Sequence, residues 1–501
     1  MSFFDNFIFN LPEVSSPLQK KLGFSEKLKW TLIVLGLFFV MGLIPLYGIG
    51  ENALSQFQYL SMILGAEFGS LISLGIGPIV TGSIILQLLN GSGIIKFDLT
   101  SHDGKKRFQG VQKLVSILFI LFEAAIYVMM GGLSPGRFFN PVTNIFTATQ
   151  TANTIALSTS QIAIIQFGLI FQLFLGGMII LFMDEIVSKW GFGSGISLFI
   201  AAGISKQIVI QLVSIFDVSG NLFWESTEAP VGKIWALLFY ALPNQDRTET
   251  LIILSAIIFT ILVFLIAVYA QSMRVEIPLS FGRIRGHGIR WPLNFIYTSN
   301  IPVILVASLF ATIQLWVRLL QNWIGSNGPI CWLFANTPFC FPGGYDTQNS
   351  PVGFIQVLNG PNIIEAIIKY NSFDWTILVQ AFIYVLLMVG GSVLFSIFWV
   401  QTSGMDASSQ ADQMMSSGLQ VPGFRKDKRV LESLLNRYIM PLTIMGSITV
   451  GFLAAIADLT GALSRGTGIL LTVMIVYKLY EDIAKQHVYD MNPMMRRFMG
   501  K

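Results

Sequence analysis

Two short patterns recur in the two halves of the chain, and they decide its architecture. Gly195-Ile196 opens one apolar segment and Gly468-Ile469 opens another. Ile76-Gly77-Pro78-Ile79-Val80 opens a third, and Asn300-Ile301-Pro302-Val303-Ile304 opens a fourth. Apolar segments interrupted by glycine or proline at corresponding places in two halves indicate an inverted repeat with a working site near the bilayer midplane. A pathway through the membrane therefore fits better than an enzyme.

The composition is that of a membrane protein. Of 501 residues, 53% are apolar and 12% are charged, whereas soluble domains average roughly 25% charged residues. The net charge of +4 is too small to indicate a nucleic-acid partner. The first apolar run is long enough to span a bilayer, so it does not read as a cleavable signal.

Ten apolar stretches are candidates for membrane spans. Since a level span needs about 20 residues, the second and the tenth are short and are expected to begin inside the membrane or to extend through polar flanks. The predicted spans are Leu28–Tyr47, Leu74–Leu89, Leu114–Met130, Ile162–Met183, Ile196–Phe216, Leu251–Ala270, Phe295–Trp316, Trp375–Val400, Tyr438–Ala457 and Ile469–Tyr480.

Lysine and arginine positions set the orientation, because cytoplasmic loops of membrane proteins are enriched in both residues. With the N-terminus in the cytoplasm, 24 of the 31 basic residues fall inside and seven outside. Both termini are therefore predicted to be cytoplasmic. The seven are Arg137, Lys206, Lys233, Arg247, Arg318, Lys369 and Arg465, of which Lys206 lies within a span and counts against the assignment.

This orientation makes the members of each recurring pair cross the membrane in opposite directions. The predicted fold is therefore all-α and polytopic, with ten transmembrane helices in two inverted halves around a central pore. The halves are 1–240, which holds helices 1–5, and 241–501, which holds helices 6–10 and two long cytoplasmic loops at about 271–294 and 401–436.

The segment of about 51–73 lies between the first two spans and is too short to cross. It is either an external amphipathic loop or a short re-entrant helix inside a cavity. The second alternative is allowed because irregular backbone at membrane depth is tolerated where it lines a cavity.

Catalytic chemistry is not evident in the sequence. The three histidines are far apart, and Gly104-Lys105-Lys106 lacks the Ser or Thr of a phosphate-binding loop. We expect no metal, no cofactor and no enzymatic activity. Energy for transport would come from a partner, a gradient or the substrate.

Ionisable residues within the spans are few, and Glu123 is the clearest. A carboxylate at that depth should face the interior, and a helix-to-helix hydrogen bond is favoured over a proton relay. The starts of the interrupted segments carry mostly isoleucine, valine and leucine. They form either ordinary helix packing or an apolar constriction that blocks ions by dewetting.

Two further features leave alternatives open. The basic cytoplasmic loops around Arg274–Arg290 and Arg425–Arg437 fit either lipid phosphate contact or docking to a large anionic partner such as ribosomal RNA. Cys331 and Cys340 lie in one outward loop and are either disulfide-bonded or two unpaired thiols.

Several motifs in register resemble the SecY family, the large subunit of the Sec protein-conducting channel, in its archaeal and eukaryotic branch. The resemblance runs from Lys27 to Asp482. Its motifs are Leu74-Gly75-Ile76-Gly77-Pro78-Ile79-Val80-Thr81, Asp184-Glu185-Ile186-Val187-Ser188-Lys189 with Gly193-Ser194-Gly195-Ile196, Met273-Arg274-Val275-Glu276-Ile277-Pro278-Leu279, Ser299-Asn300-Ile301-Pro302-Val303-Ile304 and Gly466-Thr467-Gly468-Ile469-Leu470-Leu471.

The resemblance implies roles for particular positions. An apolar pore ring would consist of Ile76, Val80, Ile196, Ile200, Ile304 and Leu471, and the segment of about 51–73 would be a plug. Polar positions at a lateral gate, between spans two and three and spans seven and eight, would be Thr81, Glu123 and Asn300. Arg283, Arg285 and Arg425 would dock a cytoplasmic partner.

The family further implies a channel that translocates unfolded secretory polypeptides and releases membrane helices sideways into lipid. Implied partners are SecE/gamma-type and beta-type small subunits, a ribosome or other cytoplasmic driver, signal peptides, nascent chains and membrane lipids. The location would be the plasma membrane, or the endoplasmic reticulum in a eukaryote. The alternatives are a secondary transporter for a small solute, with a compact polar site, and an insertase-like scaffold without a continuous pore.

Overall fold

In the part of the chain that the structure describes there are ten long helices, and each overlaps one predicted span. The computed structural model describes residues 10–18, 22–52, 66–91, 94–95, 97, 102–141, 145–147, 154–217, 221–222, 224, 229–241, 247–281, 288–298, 301–324, 328–333, 340–346, 350–370, 375–416, 419–420, 427–463 and 466–491. The helices are α1 (Phe24–Leu43), α2 (Gly77–Gly91), α3 (His102–Met129), α4 (Thr159–Trp190), α5 (Gly195–Val213), α6 (Arg247–Ser272), α7 (Ile301–Ile324), α8 (Trp375–Thr402), α9 (Lys428–Leu459) and α10 (Gly466–Met491).

Seven helices in the described part of the chain are long and apolar enough to cross a membrane by length and composition. These seven are α3 to α9, so α1, α2 and α10 are not among them. Helix α2 has only 15 residues, as the shortness of its predicted span suggested. Shorter helices connect the long ones: Lys233–Trp235, which continues into a π-helix over Ala236–Ala241, then Phe354–Val357, Ile363–Tyr370 and Ala407–Ser416.

Several helices extend beyond their apolar runs, because polar capping extends a helix where hydropathy cannot show it. Helix α9 begins ten positions before the predicted Tyr438, at Lys428, where the Asp427 carboxylate accepts a hydrogen bond from the Arg429 amide at 2.9 Å. Helix α4 begins with a capping box between Ser158 and Gln161.

Helix starts also differ from the predicted span starts. Helix α7 begins at Ile301 rather than Phe295, with Pro302 in its first turn, where the missing N–H is not needed. Helix α10 begins at Gly466, two residues before the Gly468-Ile469 pattern, whereas α5 begins at the first residue of its own pattern.

One apolar core takes residues from all ten long helices. Close packing between helices relies on small residues, as is usual in membrane bundles: a Cβ on Gly177 of α4 would lie 2.5 Å from Ile120 of α3, and one on Gly391 of α8 would lie 2.9 Å from Val306 of α7. Core members include Val34, Ile79, Ile120, Leu173, Ile200, Val263, Ile304, Met388, Val450 and Leu471.

Small antiparallel sheets lie on the loops between the helices. β1 pairs with β2, β3 lies between β4 and β5, β9 lies between β8 and β10, and β6 lies between β7 and β11. The strands are β1 (Ile49–Asn52), β2 (Leu133–Pro135), β3 (Phe138–Asn140), β4 (Ile145–Thr147), β5 (Ile155–Ala156), β6 (Arg274–Phe281), β7 (Gly288–Asn294), β8 (Ile330–Leu333), β9 (Phe341–Tyr345), β10 (Pro351–Val352) and β11 (Leu419–Gln420).

The two long cytoplasmic segments are more ordered than the loops that the sequence suggested. Strands β6 and β7 form a hairpin within 271–294, and β11 from the second segment pairs with β6 through Leu419 opposite Phe281. A separate apolar cluster containing Ile277 and Leu435 lies beneath this sheet. Both segments therefore belong to one structural unit on the predicted cytoplasmic side.

Candidate functional site: an apolar ring and the seam beside it

Five of the six positions of the predicted ring are buried in the central apolar core, and the sixth packs against that core. Ile76, Val80, Ile200, Ile304 and Leu471 are each at most 4% exposed and belong to the same apolar core, and Ile196 is half-buried and packs against it. They come from the start of α2 and from α5, α7 and α10. Four helices from both halves of the chain thus contribute apolar side chains to one cluster.

The local sequence explains why these helices begin where they do. Gly75 has a φ of +57°, a conformation that favours glycine, and turns the chain into α2 immediately before Ile76. Pro78 and Pro302 occupy the second positions of α2 and α7. Proline in the first helical turn costs no hydrogen bond, so both helices can start within the apolar layer.

The helices that carry the predicted gate positions Thr81 and Glu123 lie where the two halves meet. Helix α2 packs against α7 and α8, and α3 contacts α7. The ring of Phe122 on α3 lies 5.9 Å from that of Trp316 on α7. We call this contact line between α2 or α3 and α7 or α8 the seam.

Glu123, the residue after Phe122 on α3, is buried at 2% exposure. Its carboxyl group hydrogen-bonds the side chain of Thr81 on α2. Its Oε1 atom has no hydrogen-bond partner among the residues that the structure describes. Asn300, the third predicted gate residue, lies outside the described residues.

The end of the predicted plug segment is anchored to α1. The Leu71 amide donates to the Ile44 carbonyl and the Leu46 amide to the Gly69 carbonyl, each at 2.9 Å. Residues 53–65, which include most of the predicted plug helix, lie outside the described residues.

Lys206 and Glu67 form an ion pair that the sequence analysis missed. Lys206 lies within α5, and Glu67 lies at the end of the plug segment. The sequence did contain a signal: a lone lysine within a span needs an opposite charge nearby, and Glu67 flanks the segment that was predicted to enter the membrane.

The three predicted docking arginines are not placed by the structure. Arg283, Arg285 and Arg425 lie outside the described residues, although strands that flank them are described. β6 and β7 bracket the first two, and β11 precedes the third. The joined sheet brings the described flanks of both loops to one side of the molecule.

The outward loop carries a disulfide between Cys331 and Cys340, which joins β8 to the start of β9. Gln321 at the end of α7 accepts from the Tyr345 amide at 2.9 Å and donates to the Tyr345 carbonyl at 2.6 Å.

Among the described residues, no group of His, Cys, Asp and Glu side chains could hold a metal ion.

Comparisons with known proteins agree along almost the whole chain. A SecY family model matches residues 70–480, and a model described as the plug domain of Sec61p matches residues 37–69. The SecY translocase subunit of Methanothermobacter thermautotrophicus is 40% identical over 494 residues, which cover 98% of this chain and 97% of that protein. That of Methanocaldococcus jannaschii is 39% identical over 491 residues, which cover 98% of each chain.

Solved structures give the same result. A protein-conducting channel matches with a TM-score of 0.75 at 39% identity, with 98% of both chains covered. Sec61 in the canine ribosome-channel complex from the endoplasmic reticulum matches with a TM-score of 0.72 at 38% identity, again with 98% of both chains covered.

The fold, its shared apolar core and these similarities define a multi-pass membrane channel for polypeptides, and the small-solute transporter is therefore the wrong alternative. The chain belongs to the SecY family. A plug domain is present, and its family match at 37–69 begins earlier than the predicted bounds of about 51–73 because it includes the end of α1; the match also ends four residues earlier.

Proposed function

We propose that the ring of Ile76, Val80, Ile196, Ile200, Ile304 and Leu471 is the seal through which an unfolded polypeptide threads. The observation that supports this proposal is the burial of five of these side chains at 4% exposure or less, in the central apolar core that both halves share. The two halves would be 1–240 and 241–501, inverted with respect to each other.

An apolar ring suits this task for a physical reason. Moving an unpaired ion into an apolar environment costs tens of kcal/mol in the Born limit, and narrow apolar constrictions also exclude water. A polypeptide of varied sequence can pass such a ring, because the ring offers no fixed polar partner that would hold one kind of side chain.

The seam would be the exit for apolar helices. Thr81, Glu123 and Asn300 would link α2, α3 and α7 by hydrogen bonds and so favour the closed state. A signal sequence would open the seam by binding the open state more tightly than the closed one, since a ligand shifts an equilibrium only by its differential affinity.

The partners follow from the relatives. Sec61 is found in a ribosome-channel complex, and we infer that Arg283, Arg285 and Arg425 of this chain, in segments flanked by the shared β6–β7–β11 sheet, contact a ribosome or another driver. SecE/gamma-type and beta-type subunits would complete the assembly. We assign no catalytic step to the chain itself.

A conductance measurement tests the seal. The variants I196N and I304N, in proteoliposomes containing the full-length chain, should raise resting chloride efflux about tenfold or more, because an amide in the ring holds water where isoleucine excludes it. A matched control is I277N, which makes the same change at a fully buried isoleucine of the separate cytoplasmic cluster and should leave the efflux at the wild-type level.

Unchanged conductance in both ring variants would refute the seal. A photo-crosslinker at position 76 or 304 tests the threading route, because a stalled secretory chain should crosslink there. A second photo-crosslinker is placed at position 122, in the seam. If the stalled chain crosslinks at position 122 and at neither 76 nor 304, the result favours the insertase-like scaffold.

A further inference from the structure

Two carboxylates occupy matching places in the two halves of the chain. Asp184 lies near the end of α4, and its Oδ1 accepts a hydrogen bond from the Ile196 amide of α5 at 3.0 Å. Asp458 lies near the end of α9, and its Oδ1 accepts from the Thr467 amide of α10 at 2.7 Å. In both cases the donor is the second residue of the following helix. Each aspartate satisfies one of the free N–H groups at a helix start.

A glycine makes each contact possible. A Cβ on Gly195 would lie 2.6 Å from the Cα of Asp184, and a Cβ on Gly466 would lie 2.1 Å from the carbonyl carbon of Ala457, next to Asp458. Real side chains do not approach backbone atoms so closely. The first residue of α5 and of α10 therefore rests directly on the helix before it.

The second cap is also tied to α8. Asp458 is 1% exposed, and its Oδ2 accepts hydrogen bonds from the Thr467 hydroxyl and from the Tyr384 hydroxyl. Because a buried carboxylate is stable when hydrogen-bond donors surround it, this arrangement fixes the start of α10 against both α8 and α9.

The capped helices carry ring residues one turn further along. Ile200 lies four residues after Ile196, and Leu471 lies four residues after Thr467, which is a rise of about 6 Å along a helix. Helices α5 and α10 also pack against each other across the two halves, since a Cβ on Gly468 would lie 3.4 Å from Ile204. The position of each cap therefore sets the position of a ring side chain.

We propose that Asp184 and Asp458 are a pseudo-symmetric pair of positioning residues that hold the starts of α5 and α10 so that Ile200 and Leu471 close the ring. This inference rests on the proposed sealing function of the ring. It differs from that function because neither aspartate belongs to the ring, and the role assigned to each is to accept a hydrogen bond.

Resting chloride efflux from proteoliposomes with the full-length chain tests the pair. D184A and D458A should each raise the efflux about fivefold, the change that corresponds to loss of one helix cap. The efflux of D184N should be close to the wild-type value, because the amide oxygen of asparagine still accepts a hydrogen bond from the Ile196 N–H. The efflux of D458N should lie between those of wild type and D458A. The efflux of T467V, which keeps the backbone N–H donor and loses the hydroxyl donor, should lie in the same interval.

Controls separate the possible causes. D412A removes an exposed aspartate that pairs with Lys428 and should not change the efflux. If D184A fails to insert into the membrane, G195A serves instead, because the added Cβ displaces α5 from an intact Asp184, and it should leak as well.

The outcomes distinguish the two proposals. If I304N leaks while D184A, D458A and G195A do not, the positioning role is wrong and the seal stands. If the asparagine variants leak as much as the alanine variants, hydrogen-bond acceptance is not the cause, and the positioning role is again wrong. If neither I196N nor I304N leaks, the seal fails and the positioning role fails with it.

Discussion

At the scale of single residues, Lys206 within α5 is the residue whose environment a hydropathy profile alone predicts wrongly. Lys206 counted against the predicted orientation, yet the structure pairs it with Glu67 at the end of the plug segment. The side chains are 38% and 40% exposed, so the pair is partly screened by solvent. It nevertheless joins the plug segment to α5, the helix that carries two of the proposed ring residues.

Loss of this ion pair should loosen the plug segment. K206A and E67A should each shift the closed channel toward a plug-displaced state about two- to fivefold, the effect of losing up to about 1 kcal/mol from a partly exposed pair. The accessibility of a single cysteine placed at position 70, next to Glu67, to a membrane-impermeant thiol reagent measures this shift. The natural cysteines do not interfere, since both are in the disulfide.

The charge-swapped variant K206E/E67K is the matched control for this prediction. If the ion pair matters, the double variant should restore the labelling rate toward wild type, whereas each single variant should not. Equal labelling rates in all four proteins would show that Lys206 and Glu67 contribute nothing to plug closure.

At the scale of elements, sequence reasoning succeeds for the helices and fails for what joins them. Every predicted span coincides with a helix because burial in lipid requires long uncharged runs. The cap at Asp427 extends α9 by ten positions, and the pairing of β11 with β6 joins two distant loops. Neither can be read from hydropathy, because each depends on one polar contact or on a tertiary approach.

The helix starts marked by glycine or proline could be predicted from the sequence, whereas the polar contacts that support them could not. The assignment of a ring to these starts comes from the family resemblance and stays a prediction. The contacts of Asp458 with Thr467 and with Tyr384, which lies 74 positions away, arise only when α8, α9 and α10 pack together. Long-range polar contacts of this kind have no periodic signature.

Residues 10–18 form an N-terminal strap across α3 and α4, and Lys113 of α3 donates a hydrogen bond to the Pro12 carbonyl. The Glu185 carboxylate accepts from the Val14 amide at 2.9 Å, the Trp190 indole donates to the Ser15 carbonyl at 2.9 Å, and Lys189 pairs with Glu13. The hydrogen bond from Lys189 lowers the pKa of Glu13 below its ordinary 4.5. Charge on Glu13 therefore stabilises the strap.

The strap should loosen in acid. Because the folded-state pKa of Glu13 is depressed, its contribution is fully present above about pH 4.5 and is lost as the pH falls through the lower folded-state value. Since Glu13 is 60% exposed, the effect should be small, about two- to threefold in amide protection at Val14. Hydrogen exchange between pH 3 and pH 7 measures it.

The variant E13Q isolates this contribution from other acidic groups. The difference in Val14 protection between wild type and E13Q should be largest at neutral pH and should vanish in acid. A difference that stays constant across the whole range would mean that the Glu13 charge does not hold the strap.

At the scale of the whole molecule, the seam decides whether the two halves can separate. Phe122 and Trp316 face each other across it with ring centroids 5.9 Å apart, and a Cβ on Gly91 of α2 would lie 2.4 Å from the Phe398 ring of α8. The Glu123–Thr81 hydrogen bond lies within one half, between α3 and α2. Opening the channel sideways requires the two contacts that cross the seam, Phe122 with Trp316 and Gly91 with Phe398, to break together, so fixing one of them should prevent opening.

A covalent link across the seam tests this requirement. The double variant F122C/W316C, joined by a short bifunctional thiol reagent, should lose translocation of a secretory substrate and insertion of an apolar helix, and reversal of the link should restore both. The matched control is S392C/G451C, which links α8 to α9 on one side of the seam, where a Cβ on residue 451 would lie 3.1 Å from that of Ser392. The control link leaves the seam free and should leave transport intact, so undiminished transport with the 122–316 link in place would show that the two halves need not part at this seam.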